Sequence, residues 1–319
     1  MNKLTIATRG SKLALWQAEH VKAEIIRRFP DAEIDLLVLK TRGDAILDMP
    51  LAAIGGKGLF VKEIEEALLV NSADMAVHSM KDMPMTLPEG LVLGAIMDRA
   101  DPRDMFLSVN HASLASLPPD AKVGTSSLRR AAQLLNLRAD ISPLSLRGNV
   151  DTRLRKLLEG EYDAVIMAAA GIARLGLVAP HMAAIDPGVF LPAAGQGAIG
   201  IECREDRKDV RAILAALDHA QTRVCVTAER AFLEDLGGSC HAPIAAYAVA
   251  DAKSLSVKGL VMSLDGSRQA RAIATADAPW QTIPGVATEL GKALAGIIRE
   301  RGGEAILDEL ARDRREPIQ

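Results

Sequence analysis

Lys122-Val123-Gly124-Thr125-Ser126-Ser127-Leu128-Arg129-Arg130 reads as a strand that feeds straight into a helix, and it repeats the logic of residues 4–12. In the earlier copy Leu4 to Ala7 predicts a strand, and Arg9-Gly10-Ser11-Lys12 a turn. Leu13 to Phe29 then predicts a helix, with Leu13, Ala18, Val21, Ile25 and Phe29 near one face and Pro30 ending it. Further strands are expected at Ile34 to Leu39, Ala73 to Val77, Ile141 to Leu146 and Ala164 to Ala170. Alternation of this kind sets the fold class as α/β.

The turns carry the chemistry. Backbone N–H groups at a helix start attract anions, and arginines there oppose the macrodipole unless an anion is present. Arg9, the pair Arg129 and Arg130, Arg147 with Arg153, and Arg174 all fall at such strand ends, the last on a helix expected to open at Gly171. One such turn is explained equally well by capping and solvation. Four argue for a cleft that holds several carboxylates or phosphates. The strand at Ala73 to Val77 ends in His78-Ser79-Met80-Lys81-Asp82-Met83-Pro84. Ligands in open α/β sheets bind beyond the carboxyl ends of strands, so Asp82 there suits acid–base or cation-stabilising work as well as a plain ion pair with Lys81.

Other stretches organise the chain. Residues 43–58 form a long glycine-bearing loop, of a length usual for a lid or a disordered segment, with Lys57 and Phe60 where it meets a helix. Glu63, Glu65 and Glu66 on that helix read as a solvated face. Asp98 to Arg103 reads as a crossing between domains. Gly195-Gln196-Gly197-Ala198-Ile199-Gly200 matches GxGxxG but leads into a strand, so it is read as a return crossing and not as a dinucleotide site. Helices are expected at Lys208 to Leu217 and Thr222 to Leu236. A meander of Ile244 to Ala250, Leu255 to Ser263 and Gln269 to Ala276 follows, with helices on one face. Pro284 to Arg299 is an amphipathic helix, and the tail from Arg312 is expected to be loose.

Leu236-Gly237-Gly238-Ser239-Cys240-His241-Ala242-Pro243 holds a cysteine on a tight loop between helix and strand. A structural cysteine at a helix C-cap and an accessible, reactive thiol are both open readings of the loop alone.

The totals exclude several classes. The chain has 319 residues, 3% aromatics and a net charge of −3, so neither a stacking platform nor a basic field for nucleic acid is present. Cys203, Cys225 and Cys240 show no CxxC spacing, so no disulfide framework or zinc site is suggested and no metal is expected. The longest apolar run, Ala164 to Ala173, is far short of a membrane span, and a soluble cytoplasmic protein is expected.

Six motifs resemble the porphobilinogen deaminase (hydroxymethylbilane synthase) family across nearly the whole chain. They are Ala7-Thr8-Arg9-Gly10-Ser11, Gly56-Lys57-Gly58-Leu59-Phe60, Ala76 to Asp82, Gly124 to Arg130, Arg147 to Arg153, and Gly237-Gly238-Ser239-Cys240. Ala242 departs from the family, where a β-branched residue is commoner. The resemblance implies three α/β domains: 1–98 plus 198–217, 103–192, and 219–312, with 313–319 as a tail. The first two would look like the lobes of a type II periplasmic binding protein with a cleft between them, and the third a small sheet with helices on one face.

The same resemblance implies the chemistry. Cys240 would hold a dipyrromethane cofactor as a thioether. Four porphobilinogen units would be added, each releasing ammonia through a cationic azafulvene, before water releases hydroxymethylbilane. Asp82 matches a buried carboxylate that stabilises the cations and handles protons. Arg9, Ser11, Lys81, Thr125, Ser127, Arg129, Arg130, Arg147, Arg153 and Arg174 would hold carboxylates of cofactor and substrate. Gln17, Lys57, Phe60, Ser79 and Gln196 form a second tier. The family also implies a monomer. Two other readings compete: a two-lobed protein that binds an anion without chemistry, and a hydrolase pairing Cys240 with His78 or His241.

Overall fold

Ser11 separates the first strand from the first helix by accepting a hydrogen bond from the Ala14 N–H at 3.3 Å. The strand is β1 (Leu4–Arg9) and the helix α1 (Lys12–Arg28). In the computed structural model, residues 3–41, 61–237, 242–277, 279–281 and 285–313 are described. The expected lid at 43–58 with Lys57 and Phe60, and the loop residues 238–241 with Cys240, lie outside them.

β1 runs parallel to β2 (Ile34–Leu39) on one side and to β3 (Met75–Ser79) on the other. β10 (Ile199–Arg204) lies antiparallel between β3 and β4 (Leu91–Ile96). The order is β2-β1-β3-β10-β4. Alternation along β1 sends Ile6 to a core shared with Ala18, Val21 and Ile25 of α1. It sends Ala7 to a second core with Ile64 and Leu68 of α2 (Lys62–Leu69). α6 (Lys208–Ala215) packs on the α1 side through Leu214.

The second sheet repeats this plan. β6 (Lys122–Gly124) is parallel to β7 (Ser142–Leu144) and to β8 (Ala164–Ala168). β5 (Asp104–Ser108) is antiparallel to β8 and to the edge strand β9 (His181–Ala184). The order is β7-β6-β8-β5-β9. α3 (Leu128–Leu137) contributes Leu134 to one face, and α4 (Val150–Leu158) contributes Leu154 and Leu157 to the other. β7 is shorter than the expected Ile141 to Leu146; Pro143 at its centre is tolerated because β7 is an edge strand, where its missing N–H faces away from β6.

The third sheet is the expected meander, β11 (Ile244–Ala250), β12 (Leu255–Met262) and β13 (Gln269–Ala276), all antiparallel. α7 (Ala220–Asp235) and α8 (Val286–Ile298) cover one face of it. They come so close that a Cβ on Gly259 would lie 2.6 Å from the Phe232 ring and 2.9 Å from Leu294, so a larger residue there would push the helices off the sheet. Beyond α8 a kinked turn leads into α9 (Glu304–Asp313), which takes in Arg312, where a loose tail was expected to begin.

The chain divides into two compact units. One comprises the chain to Asp101 with Ala173–Gly176 and Gly197–Arg223; the other comprises Pro102–Ile172, Leu177–Gln196 and the chain from Val224. The fold class is α/β as expected, with two mixed sheets of one plan and a small three-stranded sheet. The GxGxxG stretch does lead into a strand, β10, which returns to the first sheet.

Candidate functional site

In the first unit, β1 and β3 are parallel, so their carboxyl ends share one edge of the sheet. Arg9 is half-buried there, beside the cap Ser11. Although the Ser11 hydroxyl oxygen accepts from the Ala14 N–H, its O–H is left to donate. Gln17 is buried on α1, and its Nε2 donates to Ser79 Oγ at 2.9 Å. β3 continues into a single turn, Met80–Asp82, whose Met80 is buried while Lys81 is half-buried and Asp82 exposed.

The exposure of Asp82 corrects the expectation of a buried carboxylate. Met80 and Met83 take the inward positions on either side of it, and the turn leaves Asp82 pointing outward. Asp82 makes no ion pair among the described residues, so a plain pairing with Lys81 is not what holds it.

Arg174 was expected near the start of a helix and instead ends one. β8 passes without a break into α5 (Ala169–Arg174), because Ala169 and Ala170 favour helix. Its Nη2 donates to the Gly197 carbonyl at 2.7 Å, and no carboxylate pairs with it among the described residues. Burial pulls its pKa down to about 10.

A second cluster lies on the α2 side of the same sheet. The wholly buried Glu202 of β10 lies 3.1 Å from Nε2 of the buried His78. Glu65 of α2, 8% exposed, has its pKa pushed up to about 6 by burial first and then by Glu202, with His78 opposing. Oε1 of Glu65 and Oε1 of Glu202 are buried without a hydrogen-bond partner among the described residues. The expected solvated glutamate face is therefore wrong at Glu65. Helical spacing carries it inward beside Ile64 and Leu68, while Glu66 stays exposed. His78, engaged by Glu202 in the core, is also a poor partner for a cysteine nucleophile.

The sign of the Glu65 shift gives a pH prediction. A carboxyl whose folded pKa is raised stabilises the fold fully below its unfolded value of about 4.3 and loses that contribution as pH rises through about 6. Glu65→Gln, uncharged throughout, should gain on the parent by about 2 kcal/mol between pH 4.5 and pH 7. Urea denaturation at the two pH values measures this; a stability difference that does not change with pH would refute the buried-charge assignment.

In the second unit the paired arginines are not open to solvent. Arg129 Nη1 donates to Asp104 Oδ2 and to the Leu191 carbonyl, both at 2.6 Å. Arg130 Nε donates to Asp104 Oδ1 at 2.9 Å, and its Nη1 to the Ile166 carbonyl at 3.1 Å. Gln196 Nε2 donates to the same Oδ1 at 3.0 Å and to the Pro102 carbonyl at 2.7 Å. Burial alone would raise the pKa of Asp104, but the two arginines outweigh it and hold the carboxyl well below the usual range. The anion that these arginines require is thus, in part, a residue of the chain itself. Removing it would strand two buried cations, a change of the class that costs about 3–5 kcal/mol. Thr125 and Ser127 serve the same turn, as acceptors for the N–H groups of Ser127 at 3.2 Å and Arg130 at 3.4 Å.

The next turn is different. Gly148 has φ +108°, and a Cβ there would lie 2.6 Å from Thr152, so only glycine fits between Arg147 and α4. Arg153 Nε donates back to the Gly148 carbonyl at 2.8 Å. Arg147 is half-buried, and no carboxylate pairs with it among the described residues. Arg147 and Arg174 are thus half-buried cations without a carboxylate partner among the described residues.

Sequence reasoning missed Asp104, Glu202 and Glu229. The last is wholly buried on α7 and accepts from the Gly195 N–H at 2.6 Å and the Ala248 N–H at 2.8 Å. Asp104 and Glu202 could have been flagged as lone acids within apolar strands. No group of three acidic, histidine or cysteine side chains is placed to hold a metal among the described residues.

Comparison with known proteins bears on the same stretches. A family model described as porphobilinogen deaminase, dipyromethane cofactor binding domain, matches residues 4–212, and the C-terminal domain model of that family matches 223–300. The chain belongs to the porphobilinogen deaminase family. A porphobilinogen deaminase of Nitratidesulfovibrio vulgaris (strain Miyazaki F) is 62% identical over 85% of this chain and 86% of its own. One of Lawsonia intracellularis is 52% identical over 96% of this chain and 98% of its own. Among solved structures, the periplasmic aliphatic sulphonate binding protein of Escherichia coli is similar with a TM-score of 0.38 and 17% identity, over 73% of this chain and 70% of its own. The cofactor-binding stretch of the family, residues 4–212, contains each of the strand-end arginines described above. No helix among the described residues is long and apolar enough to cross a membrane.

Proposed function

We propose that this chain joins four porphobilinogen units head to tail onto a dipyrromethane held through Cys240, releasing ammonia at each addition, and frees hydroxymethylbilane by hydrolysis. The match to the family's cofactor-binding domain over residues 4–212 carries this reading. The cations of that stretch fit the group: Arg147 and Arg174 are half-buried and have no acid partner among the described residues, as a ligand made of acetates and propionates requires. When bound, the dipyrromethane supplies the pyrrole carbon to which the first unit is joined.

The roles then follow from placement. Arg147 and Arg174 pair with carboxylates; Arg9 and Lys81 add positive charge at strand ends of the first unit, and Arg153 adds it beside Arg147 in the second. Ser11, Thr125 and Ser127 keep an O–H to donate after capping their turns. Arg129, Arg130 and Gln196 work through Asp104, fixing the turn after β6 and lending it net positive charge. Asp82 faces outward from its turn and stabilises the positive charge that develops as ammonia leaves, then takes up the proton lost from the pyrrole carbon. Gln17 and Ser79 position the β3 end that leads to Asp82. The stretch 43–58, with Lys57 and Phe60 near its C-terminal end, is assigned to keeping water from the electrophile. We further assign three domains, a monomeric state and a cytoplasmic location. The reading as a binding module without chemistry gives no role to Cys240 or Asp82 and is set aside.

Arg147→Leu tests the carboxylate assignment. A charge-assisted pair lost in a half-buried site is worth about 2–3 kcal/mol, so ammonia release from porphobilinogen should fall by about a hundredfold, or cofactor assembly should fail. Ammonia release and intact mass measured together separate these two effects. Turnover equal to that of the parent would return Arg147 to the class of solvated surface arginines.

A further inference from the structure

Trp16 lies on α1 one residue before Gln17 and has no part in the roles above. It is 36% exposed, high for an indole, yet two groups lie against its ring. The His20 ring stacks on it with centroids 5.0 Å apart and planes 16° apart. The Arg174 guanidinium carbon lies 5.5 Å from its ring centroid. Imidazole, indole and guanidinium thus lie against one another within the first unit.

This arrangement places Arg174 in a particular way. A guanidinium over an indole is attracted by the ring's negative face. One edge of this guanidinium is fixed by the hydrogen bond from Nη2 to the Gly197 carbonyl. With a face and an edge fixed, the remaining N–H groups keep one direction, and a planar fork held in that way meets a carboxylate bidentately with little further ordering. Neither contact is an ion pair, so neither neutralises the charge that the ligand needs. A carboxylate from the chain would have supplied the same rigidity while cancelling that charge, as Asp104 does for Arg129 and Arg130.

We propose that Trp16 is a positioning residue: it clamps Arg174 from one face so that its free N–H edge meets a carboxylate of porphobilinogen or of the growing chain. This rests on the assignment of Arg174 as a carboxylate-binding residue. The contribution belongs to binding and not to bond making, so it appears in KM.

The test uses the full-length holoenzyme, with cofactor content checked by intact mass. Trp16→Leu should raise KM for porphobilinogen by about three- to tenfold, the size of a partly exposed cation–π contact, with kcat within about twofold of the parent. Trp16→Phe, which keeps a π face, should recover most of that loss. A fluorescence measurement reads the contact itself. The chain has 2 tryptophans, so Trp280→Phe leaves Trp16 as the sole indole emitter. In that background, Arg174→Leu should change the emission, and porphobilinogen should change it only while Arg174 is present.

The outcomes separate the clamp from the assignment beneath it. If Arg174→Leu raises KM strongly and Trp16→Leu leaves it unchanged, the clamp is refuted and the role of Arg174 stands. If neither substitution moves KM, both fall. If Trp16→Leu lowers kcat at constant KM, or if emission ignores Arg174, the clamp is also refuted.

Discussion

Asp82→Ala is expected to yield a folded chain whose turnover of porphobilinogen is lower by about three orders of magnitude or more. The two halves of that expectation have separate causes. Asp82 is exposed and makes no ion pair among the described residues, so its removal should change stability by no more than about 0.5 kcal/mol. The turn that carries it is held by other groups. The Met80 N–H donates to the Ala198 carbonyl at 3.0 Å, Met80 is buried, and Gln17 holds Ser79 just before it. The chemistry has no such substitute. Lys81 and the strand-end arginines favour a carboxylate-rich ligand but oppose the positive charge that forms when ammonia departs. A carboxylate in the role proposed for Asp82 would stabilise that charge and also take up a proton, and each contribution is worth about two to four orders of magnitude. Asp82→Asn, which keeps the shape and a hydrogen-bonding oxygen, should fall almost as far. The measurement is single-turnover ammonia release, with circular dichroism and urea denaturation as controls for the fold. Turnover near that of the parent in a folded Asp82→Ala chain would remove Asp82 from the mechanism.

Much of this arrangement was legible because it is local. A strand, a small-residue turn and a helix occupy about ten consecutive residues, and the cations of the turn are quoted with it. Residues 4–12 and 122–130 therefore announced both sheets, and the strand after GxGxxG excluded a dinucleotide site. What was not legible is what crosses the sheet. Arg129 and Arg130 read as cations awaiting a ligand because their partner, Asp104, enters on an antiparallel strand that the sequence places before β6 and the sheet places beyond β8. Glu65 read as solvated because its neighbours Glu63 and Glu66 suggested a polar face, and only the packing of α2 against β3 and β10 turns it inward. Arg174 read as a helix start because Gly171 suggests a boundary, whereas the alanines before it already continue from strand to helix. The first two errors came from assigning a side chain by its sequence neighbours where a partner more than twenty residues away, or the packed face of its own helix, decided the matter.

The anchor for the cofactor can be argued by eliminating the other thiols. The chain has 3 cysteines. Cys203 lies within β10, wholly buried, and burial pushes its thiol up to about 11, so little thiolate exists there to attack a methylene carbon. Cys225 is buried within α7. Cys240 follows α7 in the sequence Gly237-Gly238-Ser239-Cys240 and lies outside the described residues. Attachment through Cys240 would form a carbon–sulfur bond as the porphobilinogen amine leaves with the thiol proton as ammonia, and the second unit would join with the same loss. The purified parent should thus exceed its chain mass by two porphobilinogens less two ammonias. Cys240→Ser should show the chain mass alone and no measurable turnover, because a hydroxyl supplies almost no alkoxide at neutral pH. Cys203→Ala and Cys225→Ala should keep the adduct. Adduct retained in Cys240→Ser and lost in one of the other two would move the anchor into a packed element, which β10 or α7 would have to open to admit. A parent without adduct, folded and made in cells that supply the pyrrole, would leave the strand-end arginines as an anion-binding surface and nothing more.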